Sequence, residues 1–378
     1  MNRGAILVDA ELRQLIAAGA ISSPSGVDPA QVQPASLDLR LGPKAHRVRA
    51  GFLPGSVPME ERLEALSTSA LQLDAPDGAV LERGLVYLVQ LEEELHLPED
   101  LGVRFNPRSS SGRCDIFTRV LCPGHPRFDE APPGYRGPIW LEISPLSFPV
   151  RLLRGDRLCQ LRVHRGRPGL TTDELREIVS RTPLVFDGDR PLGVDETRFD
   201  DDGGLELNLG LLGRDPAGWR ASLHTEVVDF SREGAHDPDL FWEPVRAPGG
   251  RCILAPESFY IFASRERLRV PPDLAAEMLP VDIGIGELRN NYAGFFDNGF
   301  GWQEDASGTP AGNGTPAVLE VRAHDVPFLV EDGQVFFRLK FFRASARPEH
   351  LYGQDREGAS YQRQDLTLAR AFQRPPAQ

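Results

Sequence analysis

The strongest constraint on this chain is that most of it is written twice. SLDLRLG at residues 36–42 returns as GLELNLG at 204–210, an offset of 168. GLVYLVQLEEELHLPEDLGVRFNP (84–107) returns as SFYIFASRERLRVPPDLAAEMLP, with Tyr87, Pro98 and Pro107 matched by Tyr260, Pro271 and Pro280 at offset 173. PIWLEISPLSFPVRLLRGDRLCQLRV (138–163) returns as PAVLEVRAHDVPFLVEDGQVFFRLKF, where Glu142, Pro149 and Gly155 meet Glu320, Pro327 and Gly333 at offset 178. Three ordered blocks with slowly growing offsets imply a duplicated domain. Within them LVYLVQL, PIWLEIS, DRLCQLRV, YIFAS, AVLEVRA and VFFRLKFF are short apolar runs separated by turn residues, so each copy is expected to be mainly β. Two helices are predicted. One is amphipathic around residues 9–19, and the other is TTDELREIVSR, with Thr171 or Thr172 as cap and Glu174 or Glu177 supporting the first turns. The Asp/Gly-rich stretch 187–204 is read as the join. This divides the chain into a domain at 1–186, a linker at 187–204, a second domain at 205–345 and a polar tail at 346–378.

Bulk properties exclude several functions. The 378 residues suffice for two domains. No run of about 18 apolar residues predicts a membrane span. Asp9 and Glu11 break any signal-peptide core, so a cytoplasmic location is the default expectation. The formal net charge of −13 disfavours bulk attraction to nucleic acid or anionic membranes. A small anionic ligand would need a local cluster of Arg side chains and backbone N–H groups. Cys114, Cys122, Cys159 and Cys252 have no CxxC spacing, and the eight histidines form no HxH, HxE or HExxH pattern. Neither a disulfide framework nor a zinc site is predicted.

One stretch breaks the repeat. NPRSSSGRCDIFTR (106–119) is polar between two apolar runs, and at offset 173 its Arg108, Ser109, Ser110, Ser111 and Arg113 become Val281, Asp282, Ile283, Gly284 and Gly286. Donors lost while the apolar frame persists are not required by the fold. The cluster is therefore expected to be functional in copy one and missing from copy two. Serine hydroxyls, turn N–H groups and two guanidinium groups suit a chain of phosphates. Downstream, the Gly-Tyr-Arg-Gly turn of FDEAPPGYRGPIWLEIS predicts a hairpin whose backbone can approach a planar ring. Alternation in the next strand puts Trp140 and Glu142 on one face and Ile139, Leu141 and Ile143 on the other. Glu142 is then either a solvated edge residue or a pocket carboxylate with a task. The recurrence of Glu320 assigns part of the reason to structure.

NPRSSSGR, GYRGPIWLE and the opening QPASLDLRLG together resemble the dCTP deaminases, relatives of the trimeric dUTPases, in a double-length form with two dUTPase-like domains. The resemblance implies two tandem β-barrel or jelly-roll-like domains with a few peripheral helices. It also implies hydrolytic deamination of dCTP to dUTP and ammonia for dUTP and dTTP biosynthesis. By resemblance Glu142 is the residue that activates water for attack on C4, and Ser109 and Arg113 complete the catalytic site. Arg108, Ser110 and Ser111 line the triphosphate. Asp129 contacts the sugar, across a two-residue insertion before the glycine, and Trp140 and Leu141 touch the base. No tightly bound cofactor or metal is implied, Mg²⁺ arriving with the triphosphate. A homotrimer with sites between subunits is expected, with dTTP as an inhibitor.

The tail YGQDREGASYQRQDLTLARAF carries Tyr352, Arg356, Tyr361, Arg363, Gln364 and Arg370. Tyr361 and Gln364 match the family's Tyr-x-x-Gln closing segment, whereas Ser360 stands at a usual lysine and Asp365 at a usual glycine. Following copy two, this tail must reach a site in copy one of its own or a neighbouring chain. Two alternatives stay open. One is a dUTP diphosphatase or a bifunctional deaminase and diphosphatase, since Asp297 in NNYAGFFDNGFG sits in a dUTPase-like hairpin. The other is a non-catalytic nucleotide-binding module, which is the reading for copy two alone.

Overall fold

The computed structural model describes residues 4–53, 55–279, 288–290, 294–323, 325–354, 361–362 and 364–374. Each copy of the repeat builds the same pair of antiparallel arrangements. In copy one Val86–His96 lies between Leu41–Val48 and Arg136–Pro145, while Cys159–Arg165 pairs with Leu101–Pro107 in a second sheet. In copy two Phe259–Leu268 pairs with Thr315–Ala323, and Val335–Arg343 lies between Gly204–Asn208 and Leu274–Leu279.

The register repeats residue for residue. Glu142 stands opposite Leu88, and Glu320 opposite Ile261. Val103 faces Ala131 and Val163, and its counterpart Ala276 faces Phe296 and Phe341. Even a buried carboxylate recurs. Glu93 Oε2 accepts the Arg40 N–H at 2.8 Å, and Glu266 Oε2 accepts the Asn208 N–H at 2.8 Å. Each such bond satisfies a backbone donor that the ladder leaves over. The chain is thus mainly β, with two tandem domains of one fold.

Among the described residues four α-helical segments decorate the sheets: α1 (Asp9–Ala17), α2 (Met59–Leu66), the single turn α3 (Ser109–Gly112) and α4 (Thr172–Arg181). In α4 the Thr171 hydroxyl accepts from the Glu174 N–H at 3.3 Å while Glu174 Oε2 accepts from the Thr171 N–H at 3.0 Å, the reciprocal cap expected from the sequence. Helix α2 was not expected, because Met59 is its one buried residue and leaves no apolar stripe to read. The division at 187–204 also shifts. Leu170, Leu175, Val179, Leu184 and Val185 belong to the second core, and Val185–Asp187 hydrogen-bonds to Phe259–Leu268. The second unit begins near residue 170, and the Asp/Gly-rich stretch lies within it.

The two copies are joined by shared packing. Val228–Asp229 pairs in parallel with Val150 and Arg151. Phe241, Trp242 and Phe259 enter the first core, as do Leu368, Ala369, Ala371 and Phe372 of the tail. Phe372 is held edge-on by Phe148, Phe241 and Trp242 at centroid distances of 6.3, 5.4 and 5.7 Å. The end of the tail is therefore an anchored plug. Among the described residues no helix is long and apolar enough to cross a membrane. Removing the plug leaves a cavity inside the first core, so Phe372→Ala should cost about 3–5 kcal/mol. The expected readout is a lower denaturant midpoint at an unchanged m-value.

Candidate functional site

The polar stretch singled out in copy one is a tight turn between two buried strands. Arg108 is extended, and its carbonyl accepts from the Ser111 and Gly112 N–H groups at 2.9 and 3.0 Å. Ser111 Oγ donates to the Leu158 carbonyl at 2.8 Å, so Ser111 braces the turn. Arg108 pairs with the buried Asp38 at 3.0 Å. Ser109, Ser110 and Arg113 point into a cavity at the seam between the copies.

The opposite wall comes from copy two and the tail. It includes Glu320, Val318, Asp297, Phe295 and Gly294, with Tyr352, Tyr361 and Gln364. Arg113 Nε lies 3.8 Å from Glu320 Oε1, too far for a hydrogen bond. The guanidinium stacks 3.8 Å over the Tyr361 ring and donates to the Thr367 carbonyl at 2.8 Å. Tyr361 OH and Ser110 Oγ are 2.9 Å apart, and Gln364 Nε2 donates to the Pro316 carbonyl at 3.3 Å. Asp297 accepts from Arg162 Nη2 at 2.7 Å and from Ser36 Oγ at 2.9 Å, both from copy one. The space enclosed is about 80 Å³, well below the several hundred Å³ of a nucleotide-sized pocket. Tyr361 lines it, over Arg113 and beside Ser110.

Burial pushes the Glu320 carboxyl up to about 8, against the pull of Arg113, with Asp115 adding to the rise. A carboxyl group so placed holds or yields a proton near neutrality, which fits it for acid–base work.

Glu142 is elsewhere. Its Oε1 accepts from Arg119 Nε and Nη2 at 2.9 and 2.5 Å. Its Oε2 is buried without a hydrogen-bond partner beside Gly51, where a Cβ would come within 2.3 Å of it. Trp140 packs there with Val48, Met59, Leu88 and Leu121. Leu141 points to the opposite side, into the first core. Asp129 accepts the Val120 N–H at 2.7 Å, and burial raises its carboxyl to about 6. The expected meeting of Glu142 with Ser109 and Arg113 therefore does not occur within the chain, and Trp140, Leu141 and Asp129 stay with Glu142.

The physical reason is the duplication itself. The turn of copy one is completed by the strand of copy two, so Glu320 and Val318 stand where Glu142 and Trp140 were expected. Strand register resolves the aspartate as well. Ala131 opposite Val103 corresponds to Phe296 opposite Ala276, so the counterpart of Asp297 is Pro132. Copy two is no separate degenerate module, because it supplies half of this cavity. The substituted turn, Val281, Asp282, Ile283, Gly284 and Gly286, lies outside the described residues, as do Arg356, Ser360 and Arg363 of the tail. Arg162 and Ser36 were missed altogether, and an Arg between the apolar Leu161 and Val163 was the available signal.

Comparisons with known proteins agree with this division. Residues 3–167 match the model of the N-terminal domain of 2′-deoxycytidine 5′-triphosphate deaminase, and residues 171–372 match that of its C-terminal domain. A dUMP-forming dCTP deaminase of Methanosphaera stadtmanae is 30% identical over 158 residues, covering 42% of this chain and 77% of that protein. A dCTP deaminase of Natronomonas pharaonis is 34% identical over 161 residues, covering 41% and 78%. The crystal structure of 2′-deoxycytidine 5′-triphosphate deaminase from Agrobacterium tumefaciens superposes with a TM-score of 0.82 at 42% identity, covering 92% of this chain and 100% of that one.

The raised carboxyl of Glu320 makes a stability prediction. The folded state holds the proton to about 8, against an ordinary 4.5. Stability is thus full below that ordinary value and is lost as pH rises towards 8. Glu320→Gln removes this titration. Its stability relative to the parent should grow between pH 5 and 8 to on the order of a few kcal/mol, read by chemical denaturation at each pH.

Proposed function

The chain belongs to the 2′-deoxycytidine 5′-triphosphate deaminase family, and from that premise we propose that it deaminates dCTP to dUTP and ammonia in the seam between its two copies. The reaction serves dUTP and dTTP synthesis. The observation that carries the seam assignment is the convergence of Ser109, Ser110 and Arg113 with Glu320 in one buried cavity.

In this reading Glu320 takes a proton from water as the water oxygen bonds to C4 of cytosine. It then passes that proton to the exocyclic nitrogen. The C4–N bond breaks, ammonia leaves, the remaining proton of the added water ends on N3, and C4 keeps the oxygen as the uracil carbonyl. One water is consumed and one ammonia released, with no electrons exchanged. A carboxyl poised near neutrality suits both halves of this transfer. Arg113 stabilises negative charge developing beside Glu320, and Ser109 orients the water. Arg108, Ser109 and Ser110 receive the phosphates, with Ser110 changing partner from Tyr361. Asp297, fixed by Arg162 and Ser36, contacts the sugar, and the backbone around Val318 reads the base.

Mg²⁺ enters as part of the triphosphate substrate, and no other metal or tightly held cofactor is needed. A homotrimeric assembly, inhibition by dTTP and a cytoplasmic location complete the proposal and rest on the resemblance. The dUMP-forming relative supports a second reading, in which a further water cleaves the product dUTP to dUMP and pyrophosphate.

An ammonia-release assay with dCTP tests the site. Glu320→Gln should lose about 10²–10⁴-fold in kcat, whereas Glu142→Gln should stay close to the parent. The reverse pattern would sink the seam assignment. For the parent, kcat/KM should rise with pH through about 8, the value at which Glu320 ionises in the free enzyme. Following the nucleotide by anion exchange separates dUTP from dUMP plus pyrophosphate.

A further inference from the structure

The seam carries a second charge pair beside Arg113 and Glu320, with its polarity reversed. Two residues further along each segment, Arg322 of copy two donates through Nη2 to Asp115 Oδ2 of copy one. Ser147 Oγ donates to the same oxygen at 2.6 Å. Asp115 is fully buried and Arg322 is 18% exposed. Asp115 also sits at φ 54°, in the left-handed region, which non-glycine residues adopt rarely. The Leu146 N–H holds its carbonyl there at 2.9 Å.

The duplication again supplies a contrast. By strand register Leu288 opposite Ala323 corresponds to Ile116 opposite Pro145, so Asp115 is matched by Glu287, but Arg322 is matched by the uncharged Ser144. The pair is therefore no part of the common fold, and it accompanies Glu320 and not Glu142. Its chemistry follows from where Arg322 stands. Alternation along Thr315–Ala323 puts Arg322 on the same face as Glu320. Released there, a second guanidinium would be drawn to the Glu320 carboxylate and would hold it as a closed ion pair. That is the condition of Glu142 under Arg119.

We propose that Asp115 and Arg322 are positioning residues for Glu320, Asp115 holding Arg322 away so that the Glu320 carboxyl remains free to exchange its proton. This rests on the reading of Glu320 as the base. The groups facing Glu320 are Arg113, Cys114 and Asp115 from the turn, Asp297 from the hairpin, and Tyr352 and Tyr361 from the tail. Of these Asp115 is the one whose partner sits on the strand of Glu320 itself.

The test is the pH profile of kcat/KM for dCTP in three variants, each first checked by thermal melting. In Asp115→Asn, Arg322 keeps only neutral acceptors, the Glu257 carbonyl and Ser147 Oγ, and the anion beside Glu320 is gone, so the acid limb should move down by about one pH unit. In Arg322→Met, Asp115 is left uncompensated and the limb should move up. Arg322→Lys keeps the charge at a partly exposed position and should restore the parental limb. A role confined to folding would lower the melting temperature without moving the limb in opposite directions. Unmoved limbs, or shifts of one sign in both variants, would overturn the proposal while Glu320→Gln remains inactive. An active Glu320→Gln would instead overturn the reading beneath it.

Discussion

Charges buried at the seam between the two copies fix everything else about this molecule. Arg162 and Asp297 are both nearly inaccessible and lie 2.7 Å apart, one from each copy. Breaking such a pair from one side strands an uncompensated charge at about 3–5 kcal/mol. Asn106 donating to Glu277 at 3.2 Å and Arg322 to Asp115 repeat the constraint along the same boundary. Sliding one copy against the other would unmake several of these contacts at once. The least satisfied member of the set is Arg113 with Glu320, whose 3.8 Å separation forms no hydrogen bond. Strong pairs on either side hold a weak one between them, and the weak one is where a proton can move.

The two glutamates of the repeat show how environment decides the task of a side chain. Both stand at the same place in the same ladder, opposite Leu88 and Ile261. Glu142 receives two N–H donors from Arg119 on one oxygen and the chain at Gly51 against the other. Glu320 lacks such a clamp and is buried beside a cavity, so desolvation dominates its ionisation. The two copies contribute different groups to the seam, Ser109, Ser110 and Arg113 from the first and Glu320 from the second.

Much of this was legible in the sequence, and the failures have definite causes. The repeat, the strand segments, the cap of α4 and the polar turn could all be read because each is a local pattern. Tyr361 and Gln364 also lie in the cavity, as their motif implied. What the turn faces is a long-range matter. Two premises were available, that sites of this family form between neighbouring subunits and that the chain contains two such units. Joined, they place the turn of copy one against the strand that carries Glu320. Asp129 was matched across a gap of two residues, which can be placed freely in sequence, whereas strand register allows no such freedom. The boundary at 187–204 misled because its composition is that of a linker while its flanking apolar residues are core.

The tail completes the site under a constraint that composition does not reveal. It is fixed at one end, where the Tyr352 N–H donates to the Asn298 carbonyl at 2.8 Å, and at the other by the aromatic socket of Phe372. A segment held at both ends reaches the cavity at high effective concentration, with little chain entropy left to lose. Between those anchors Tyr361 lies against Arg113 and Ser110. For a chain of net charge −13 that is to admit a polyanion, this matters. Long-range attraction is absent, so binding must depend on cations already gathered at the seam and on a cover that is never far away.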